Sequence, residues 1–166
     1  MSKKYNVAVV GATGNVGREI LKLLDERNFP VNEVFALASS RSVGREVSFG
    51  EKNIKVQDLE YFDFSQAQIG LFSPGASVSA IHAPRAAKQG CVVIDNTSQF
   101  RMDADKLLVV PEVNGASLKD FRKTNIIANP NCSTVLLFLL TNQFLAPVKK
   151  QWTNYSDKLK AFTLVT

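Results

Sequence analysis

Apolar and polar positions alternate along most of the chain in blocks whose lengths suit strands and helices in turn. Val7, Ala8, Val9 and Val10 make an unbroken apolar run, the pattern of a central parallel strand buried on both faces. Helical spacing then brings Val16, Ile20, Leu23 and Leu24 to one face of a helix over 15–27, with Lys22, Asp25 and Glu26 opposite and Asn28, Phe29 and Pro30 ending it. The pattern predicts a second strand over 33–38. A short hairpin follows, 47–49 with 54–56 around a Gly50-Glu51-Lys52-Asn53 turn, as a decoration of the main sheet. A strand over 69–72 breaks at the small-residue turn 73–79, after which a helix runs to Gln89 and stops with Gly90 at the favoured position past its end. Strands at 92–94, 108–110 and 126–128 complete the set, and 135–140 is apolar all round, the pattern of a buried helix. Strands alternating with helices predict an α/β fold with a doubly wound, mostly parallel sheet.

Between the first strand and the first helix lie Gly11, Gly14 and Gly17. In a dinucleotide loop such glycines serve the turn, the close approach of a pyrophosphate to main chain, and tight packing of helix on strand. The free N–H groups at the helix start attract an anion. The spacing is GxxGxxG where GxGxxG is commoner, so a plain strand-to-helix turn is the competing reading; the position, after a strand and before an amphipathic helix, favours the phosphate loop.

The second strand ends in Ser39-Ser40-Arg41-Ser42, where dinucleotide folds that select NAD place a carboxylate against the ribose 2′-hydroxyl. Three hydroxyls and a guanidinium suit a 2′-phosphate instead, which favours NADP. A solvated polar loop is the alternative.

Composition narrows the class. The 166 residues are 45% hydrophobic and 21% charged, which suits one globular domain with a real core. No apolar stretch is long enough for a membrane span, and MSKKYN leads into the first strand without a signal-peptide core, so the expected location is the cytoplasm. The formal charge of +5 raises nucleic acid as a partner. Yet Lys149, Lys150, Lys158 and Lys160 stand against Asp157 alone in the tail, and the body shows no basic stripe, so no nucleic-acid partner is expected.

Two cysteines, Cys91 and Cys132, are expected to be reduced, and neither has a metal-ligand neighbour at useful spacing, so no metal is expected. Cys91 opens an apolar strand and reads as core. Cys132, in Asn129-Pro130-Asn131-Cys132-Ser133-Thr134, falls between a strand and an apolar helix. A helix N-terminus at the ligand edge of the sheet favours the thiolate, the nucleophilic form. By position alone, catalysis and a structural role are evenly matched. The lone histidine, His82, lies within the helix after the 73–79 turn and reads as a surface or packing residue.

The runs GATGNVG, SSRS, LFSPGASVS, GCVVIDNTSQFRMD, VVPEVN and NPNCST stand in the order and at about the intervals of bacterial aspartate-β-semialdehyde dehydrogenases, which the chain resembles over residues 5–134. Acetylglutamyl-phosphate reductases carry GASGYTG and a GCY cysteine motif in those places, so an enzyme of that kind is the lesser alternative. The resemblance implies a Rossmann-type NAD(P)-binding domain over 1–134. The activity implied is NADP-dependent interconversion of β-aspartyl phosphate and aspartate semialdehyde, on the branch leading to lysine, threonine and methionine. It implies Cys132 as nucleophile, with Asn131 beside it in the acyl site. Arg101 would bind the acyl or inorganic phosphate with Asn96 nearby. Gly11, Thr13, Gly14, Asn15 and Val16 would line the dinucleotide, Ser39, Arg41 and Ser42 would hold its 2′-phosphate, and Ser73 and Gly75 would pass the nicotinamide ribose.

Two departures from the family stand out. Its second loop usually reads SAGGS, whereas Ser73-Pro74-Gly75-Ala76-Ser77 removes a backbone donor and adds a methyl. From Val135 the chain, with its apolar helix and basic tail over 135–166, has none of the family's continuation. A divergent cap and a frame-shifted segment both fit that stretch. The family's substrate-aligning glutamine, substrate-binding arginine, acid/base histidine and most of its homodimer interface belong to that continuation. The expectation is therefore a truncated form with little turnover, and a stand-alone NADP-binding module or inactive remnant is the rival reading.

Overall fold

The computed structural model describes residues 3–141. Strands β1 (Tyr5–Val10), β2 (Val31–Ala38), β3 (Glu46–Phe49), β4 (Lys52–Asp58), β5 (Ile69–Phe72), β6 (Val92–Asp95), β7 (Leu107–Leu108) and β8 (Ile126–Ala128) form an eight-stranded sheet in the order β3-β4-β2-β1-β5-β6-β8-β7. Every pairing is parallel except the β3–β4 hairpin. The chain winds outward from β1 to β2 and β4, then returns to the other side of β1 with β5, so the strand order reverses between β1 and β5. At that reversal the loops leave in opposite directions and open a crevice.

Helices α1 (Asn15–Glu26) and α2 (Ala76–Lys88) cross the sheet, a short α3 (Pro111–Asn114) leads into a 3-10 segment (Gly115–Lys123), and α4 occupies 132–141 of the described residues. Val7, Ala8, Val9 and Val10 are all fully buried, and their alternation feeds two cores. Val7 and Val9 pack with Leu21 of α1, Ala36 and Val56. Ala8 and Val10 pack with Leu37, Phe72, Ala83 and Ala86. In the second core Phe35, Phe62, Phe64 and Phe72 succeed one another with ring centroids 5.1, 5.1 and 5.8 Å apart, within the range of favourable aromatic pairing.

The predicted elements are present with shifted bounds that have local causes. The stripe of α1 that meets the sheet is centred on Gly17 and Leu21, with Ile20 and Leu24 flanking and Val16 left exposed. Gly17 sets this rotation, because a Cβ there would collide with the Gly11 carbonyl oxygen, so only a bare α-carbon brings the helix this close. The hairpin turn is two residues, not four, because Phe49 pairs directly with Lys52. The hairpin is also more than decoration, since β4 pairs with β2 from Val56 to Asp58 and extends the parallel sheet. Helix α2 starts at Ala76, so 76–79 is its first turn and only Ser73-Pro74-Gly75 is loop. Strand β7 is displaced to Leu107–Leu108, because Asn114 Oδ1 takes the Val110 N–H at 2.8 Å and Pro111 opens α3.

The apolar stretch 135–140 is helical as expected, but Leu136, Leu137 and Leu140 are exposed. Helix α4 is continuous through 134 and 135. The basic tail with Lys149, Lys150, Lys158 and Lys160 lies outside the described residues. Among the described residues, no helix is long and apolar enough to cross a membrane.

Candidate functional site

The loop from β1 to α1 is built by main chain. Gly11 has φ +84°, a left-handed conformation that a side chain disfavours, and a Cβ there would approach the Ser73 carbonyl oxygen to 2.8 Å. The Gly11 and Ala12 N–H groups both donate to the Leu37 carbonyl, at 2.9 and 3.1 Å, and the Gly14 N–H donates to Gly11 at 3.0 Å. These bonds close the turn and commit three donors. The N–H groups of Thr13, Asn15 and Val16 have no partner among the described residues, and Gly14, as the residue capping α1, offers no side chain to them. A helix start left in this state, with no acidic residue in its first turn, is suited to an anion.

The crevice at this point has a volume of about 600 Å³, within the usual range for small-molecule sites. Gly11, Thr13 and Gly14 form its floor, Ser39 and Ser40 one end, and Ser73 and Pro74 the facing loop. Asn15 and Val16 stand exposed on the first turn of α1 beside it. Gly75, at φ +99° and ψ 155°, turns the chain into α2; a Cβ there would meet nothing within 4 Å, so its requirement is conformational. Arg41 and Ser42 belong to a 3-10 turn (Ser40–Ser42) and are not among the lining residues, whereas Ser40, another of the three hydroxyls in that run, is.

Several lining residues carried no sequence signal. Asp58, the last residue of β4, and Leu59, Glu60 and Tyr61 after it wall the crevice beside Ser39 and Ser40, so two carboxylates and an exposed phenol face the same space. Val78 and His82 reach it from α2. His82 is buried. Arg85 can only donate, so its contact at 3.1 Å makes His82 Nδ1 the acceptor and leaves the proton on Nε2, 3.6 Å from the Glu60 carboxylate. Burial and the Arg85 charge hold the imidazole below its ordinary pKa, while Glu60 and Asp58 oppose them. Arg85 also donates to the carbonyls of Leu59, Glu60 and Phe62 and lies over the Phe64 ring, so it fastens the wall formed by 59–62. The helical spacing of His82 and Arg85 was the one available hint.

Farther along the same edge of the sheet lies the thiol. Asn131 caps α4: its Oδ1 accepts from the Ser133 N–H at 2.9 Å and its carbonyl accepts from Val135 at 2.9 Å, which places Cys132 in the first helical position. Cys132 is exposed, and its Sγ lies 3.8 Å from Asn131 Oδ1. Cys91 is fully buried, and burial pushes its thiol up to about 12.

Arg101 and Asn96 meet beside the Cys132 loop. Arg101 donates from Nε to the Asn129 carbonyl and from Nη2 to the Asn96 carbonyl, each at 3.0 Å, and Asn129 Nδ2 donates to Asn96 Oδ1 at 2.6 Å. Beneath them Asp95 is fully buried and accepts from Ser79 Oγ, the Thr97 N–H and Thr97 Oγ1. Sequence reasoning named Asn96, Arg101 and Asn131 but not Asp95 or Asn129. Among the described residues, no cluster of three or more metal-ligating side chains occurs.

The structure therefore sorts the sequence-named residues into two groups on one edge. Gly11, Thr13, Gly14, Ser39 and Ser73 share the crevice, with Gly75, Asn15 and Val16 at its border. Asn96, Arg101, Asn131 and Cys132 gather around the ends of β6 and β8.

Comparison with known proteins identifies the family and the fold. Residues 6–121 match the family described as semialdehyde dehydrogenase, NAD binding domain. The aspartate-semialdehyde dehydrogenase of Shewanella violacea is 58% identical over 139 residues, which cover 84% of this chain and 41% of that protein. Among solved structures, aspartate semialdehyde dehydrogenase II complexed with ASA from Vibrio cholerae superposes with a TM-score of 0.84 at 52% identity, covering 87% of this chain and 47% of that one. Aspartate semialdehyde dehydrogenase with NADP from Candida albicans superposes with a TM-score of 0.66 at 26% identity, covering 84% of this chain and 47% of that one. The chain thus spans less than half the length of these relatives. By fold, loop chemistry and family match, it belongs to the semialdehyde dehydrogenases, whose NAD-binding domain it carries.

Proposed function

We propose that this chain supplies the NADP crevice and the nucleophilic thiol of an aspartate-semialdehyde dehydrogenase. The observation that carries the reading is the shared edge: the uncapped start of α1 at the strand-order reversal, and Cys132 in the first turn of α4 at the end of β8. NADP, when bound, supplies the hydride acceptor or donor of this chemistry. The chain's own groups do the rest of the work proposed here. Thr13, Asn15 and Val16 offer N–H groups to the pyrophosphate, and Ser39 and Ser40, with Arg41 and Ser42 next to them, offer donors to a 2′-phosphate. Ser73 and Gly75 border the nicotinamide ribose. Cys132 attacks the aldehyde or acyl carbon of the substrate beside Asn131. Arg101, with Asn96, provides the cation for the phosphate.

Calorimetric titration with NADP⁺ and with NAD⁺ tests the crevice. Tighter uptake of NADP⁺ is expected. Uptake of neither nucleotide removes the reading, and preference for NAD⁺ assigns the adenosine end to Asp58 and Glu60.

A second reading, a nucleotide-binding module without turnover, is favoured by one observation. Among the described residues the one hydrogen-bond partner of Cys132 Sγ is Asn131 Oδ1, and the chain's one histidine stands in the crevice wall tied to Arg85. General acid/base help contributes about 10²- to 10⁴-fold to such reactions. The chain supplied with aspartate semialdehyde, phosphate and NADP⁺ is therefore expected to give little NADPH absorbance. Turnover at an ordinary enzymatic rate would exclude the module.

A further inference from the structure

The loops that carry Arg101 and Cys132 are separate in sequence, yet one side chain joins them. Asn129 directly follows β8 and stands three residues before Cys132. Its carbonyl holds Arg101 Nε at 3.0 Å, and its Nδ2 holds Asn96 Oδ1 at 2.6 Å. Asn96 in turn gives its own carbonyl to Arg101 Nη2 at 3.0 Å and lies directly after the buried Asp95 anchor. The guanidinium is thus held along its Nε/Nη2 edge by carbonyls of two loops, and the 2.6 Å amide bond fixes those loops to each other. Nη1 has no hydrogen-bond partner among the described residues, so one donor edge remains for a ligand.

We infer that Asn129 is a positioning residue that holds the Arg101 cation in register with the Cys132 thiol. The inference rests on the reading of Arg101 and Cys132 as one anion-and-thiol site and goes beyond it by assigning what sets their geometry. Three residues span at most about 10 Å of main chain even when extended, so at low salt, where the Debye length is about 30 Å at about 0.01 M, a charge held on the Asn129 carbonyl acts on the thiol. Without the amide bond the loops after β6 and β8 part company, and the cation loses its fixed relation to the sulfur.

The test compares alkylation of Cys132 in the whole chain by iodoacetate, an anion, and iodoacetamide, its neutral counterpart, at one pH and low salt. The anionic-to-neutral rate ratio reports positive charge near the sulfur. A unit charge about 10 Å away in water changes this ratio by about twofold, so Arg101→Met is expected to lower it by that factor. Asn129→Ala and Asn96→Ala should each lower it by a similar amount. Their double variant should fall no further, and neither should change the ratio in the Arg101→Met background. A general loss of packing would instead alter both reagents together and add between the two sites. Asn96→Ala leaves β8 untouched and carries the test should Asn129→Ala fold poorly. An unchanged ratio in Asn96→Ala, with Arg101→Met effective, overturns the positioning role while leaving the site reading intact. An unchanged ratio in Arg101→Met overturns both.

Discussion

Ser79, in the first turn of α2, donates its hydroxyl to Asp95 at the end of β6 across 2.9 Å, and neither residue has solvent exposure. Asp95 also takes the Thr97 N–H at 3.2 Å and Thr97 Oγ1 at 2.7 Å. One carboxylate therefore ties the helix over the crevice to the loop that carries Asn96 and Arg101. Leaving a buried donor unpaired costs about 1–3 kcal/mol. Asp95→Ala strands three donors and is expected to lower stability by about 3 kcal/mol or more, whereas Ser79→Ala removes one bond and costs about 1 kcal/mol. Urea unfolding midpoints measure both, and equal losses would contradict the shared-anchor geometry.

The glycines of the first loop separate by role. A methyl on Gly17 overlaps the Gly11 carbonyl and must push α1 off the sheet, so Gly17→Ala is expected to cost about 3 kcal/mol, the upper end for overpacking. Gly14 has φ −77°, and a methyl there stands 3.3 Å from the Gly11 oxygen, so Gly14→Ala costs about 1 kcal/mol or less. Gly14 lines the crevice, however, so nucleotide affinity should fall about tenfold on adding a methyl, equivalent to about 1.4 kcal/mol. Thermal unfolding and calorimetric titration of the two variants give opposite rankings if this division holds.

How far these features could be read from sequence depends on whether the signal is local. The β1 run and the glycine loop were legible because burial on both faces and a backbone turn each leave a contiguous mark. The Cys132 helix start was legible for the same reason, since Asn131 two residues before Ser133 is an ordinary cap. Asp58, Glu60 and Tyr61 were not legible as crevice residues. They reach it only because β4 lies beside β2, a pairing fixed by tertiary register between Val56 and Ala36. The face of α1 was misplaced by one position because Gly17 leaves no hydrophobic mark, yet it is the residue at closest approach. Asn129 was passed over because its partners, Asn96 and Arg101, stand 33 and 28 residues away.

The two thiols should differ in the native chain and agree in the unfolded one. Cys132 is exposed and Cys91 is fully buried, so native protein is expected to consume one equivalent of iodoacetamide and urea-unfolded protein two. Burial raises the Cys91 pKa from 9.0 to about 12. The unfolded chain then releases this proton before the native one does, and the Cys91 contribution to stability falls as pH rises from 9 toward 12. Mass spectrometry after brief alkylation at neutral pH places the label, and native labelling of Cys91 would contradict the core position.

His82 should make the crevice wall sensitive to acid. Its Nδ1 accepts from Arg85, and protonation there would set two donors against each other, while burial further disfavours the cation. Glu60 and Asp58, from the turn after β4 and the end of that strand, favour the cation but do not overcome these effects, so the folded pKa lies below the ordinary 6.5. The unfolded chain then binds the proton first as pH falls. The stability that neutral His82 contributes is complete above about pH 6.5 and is lost between that value and the lower folded pKa. Because Arg85 fastens the carbonyls of Leu59, Glu60 and Phe62, the loss should be felt at the wall of the crevice as well as globally. Thermal midpoints of the wild-type chain and of His82→Leu, recorded from pH 7.5 to 5, should diverge in slope below pH 6.5. The wild type should fall more steeply, and its nucleotide affinity should weaken over the same interval. A wild-type midpoint that rises on acidification relative to His82→Leu would show that Glu60, and not Arg85, governs the imidazole.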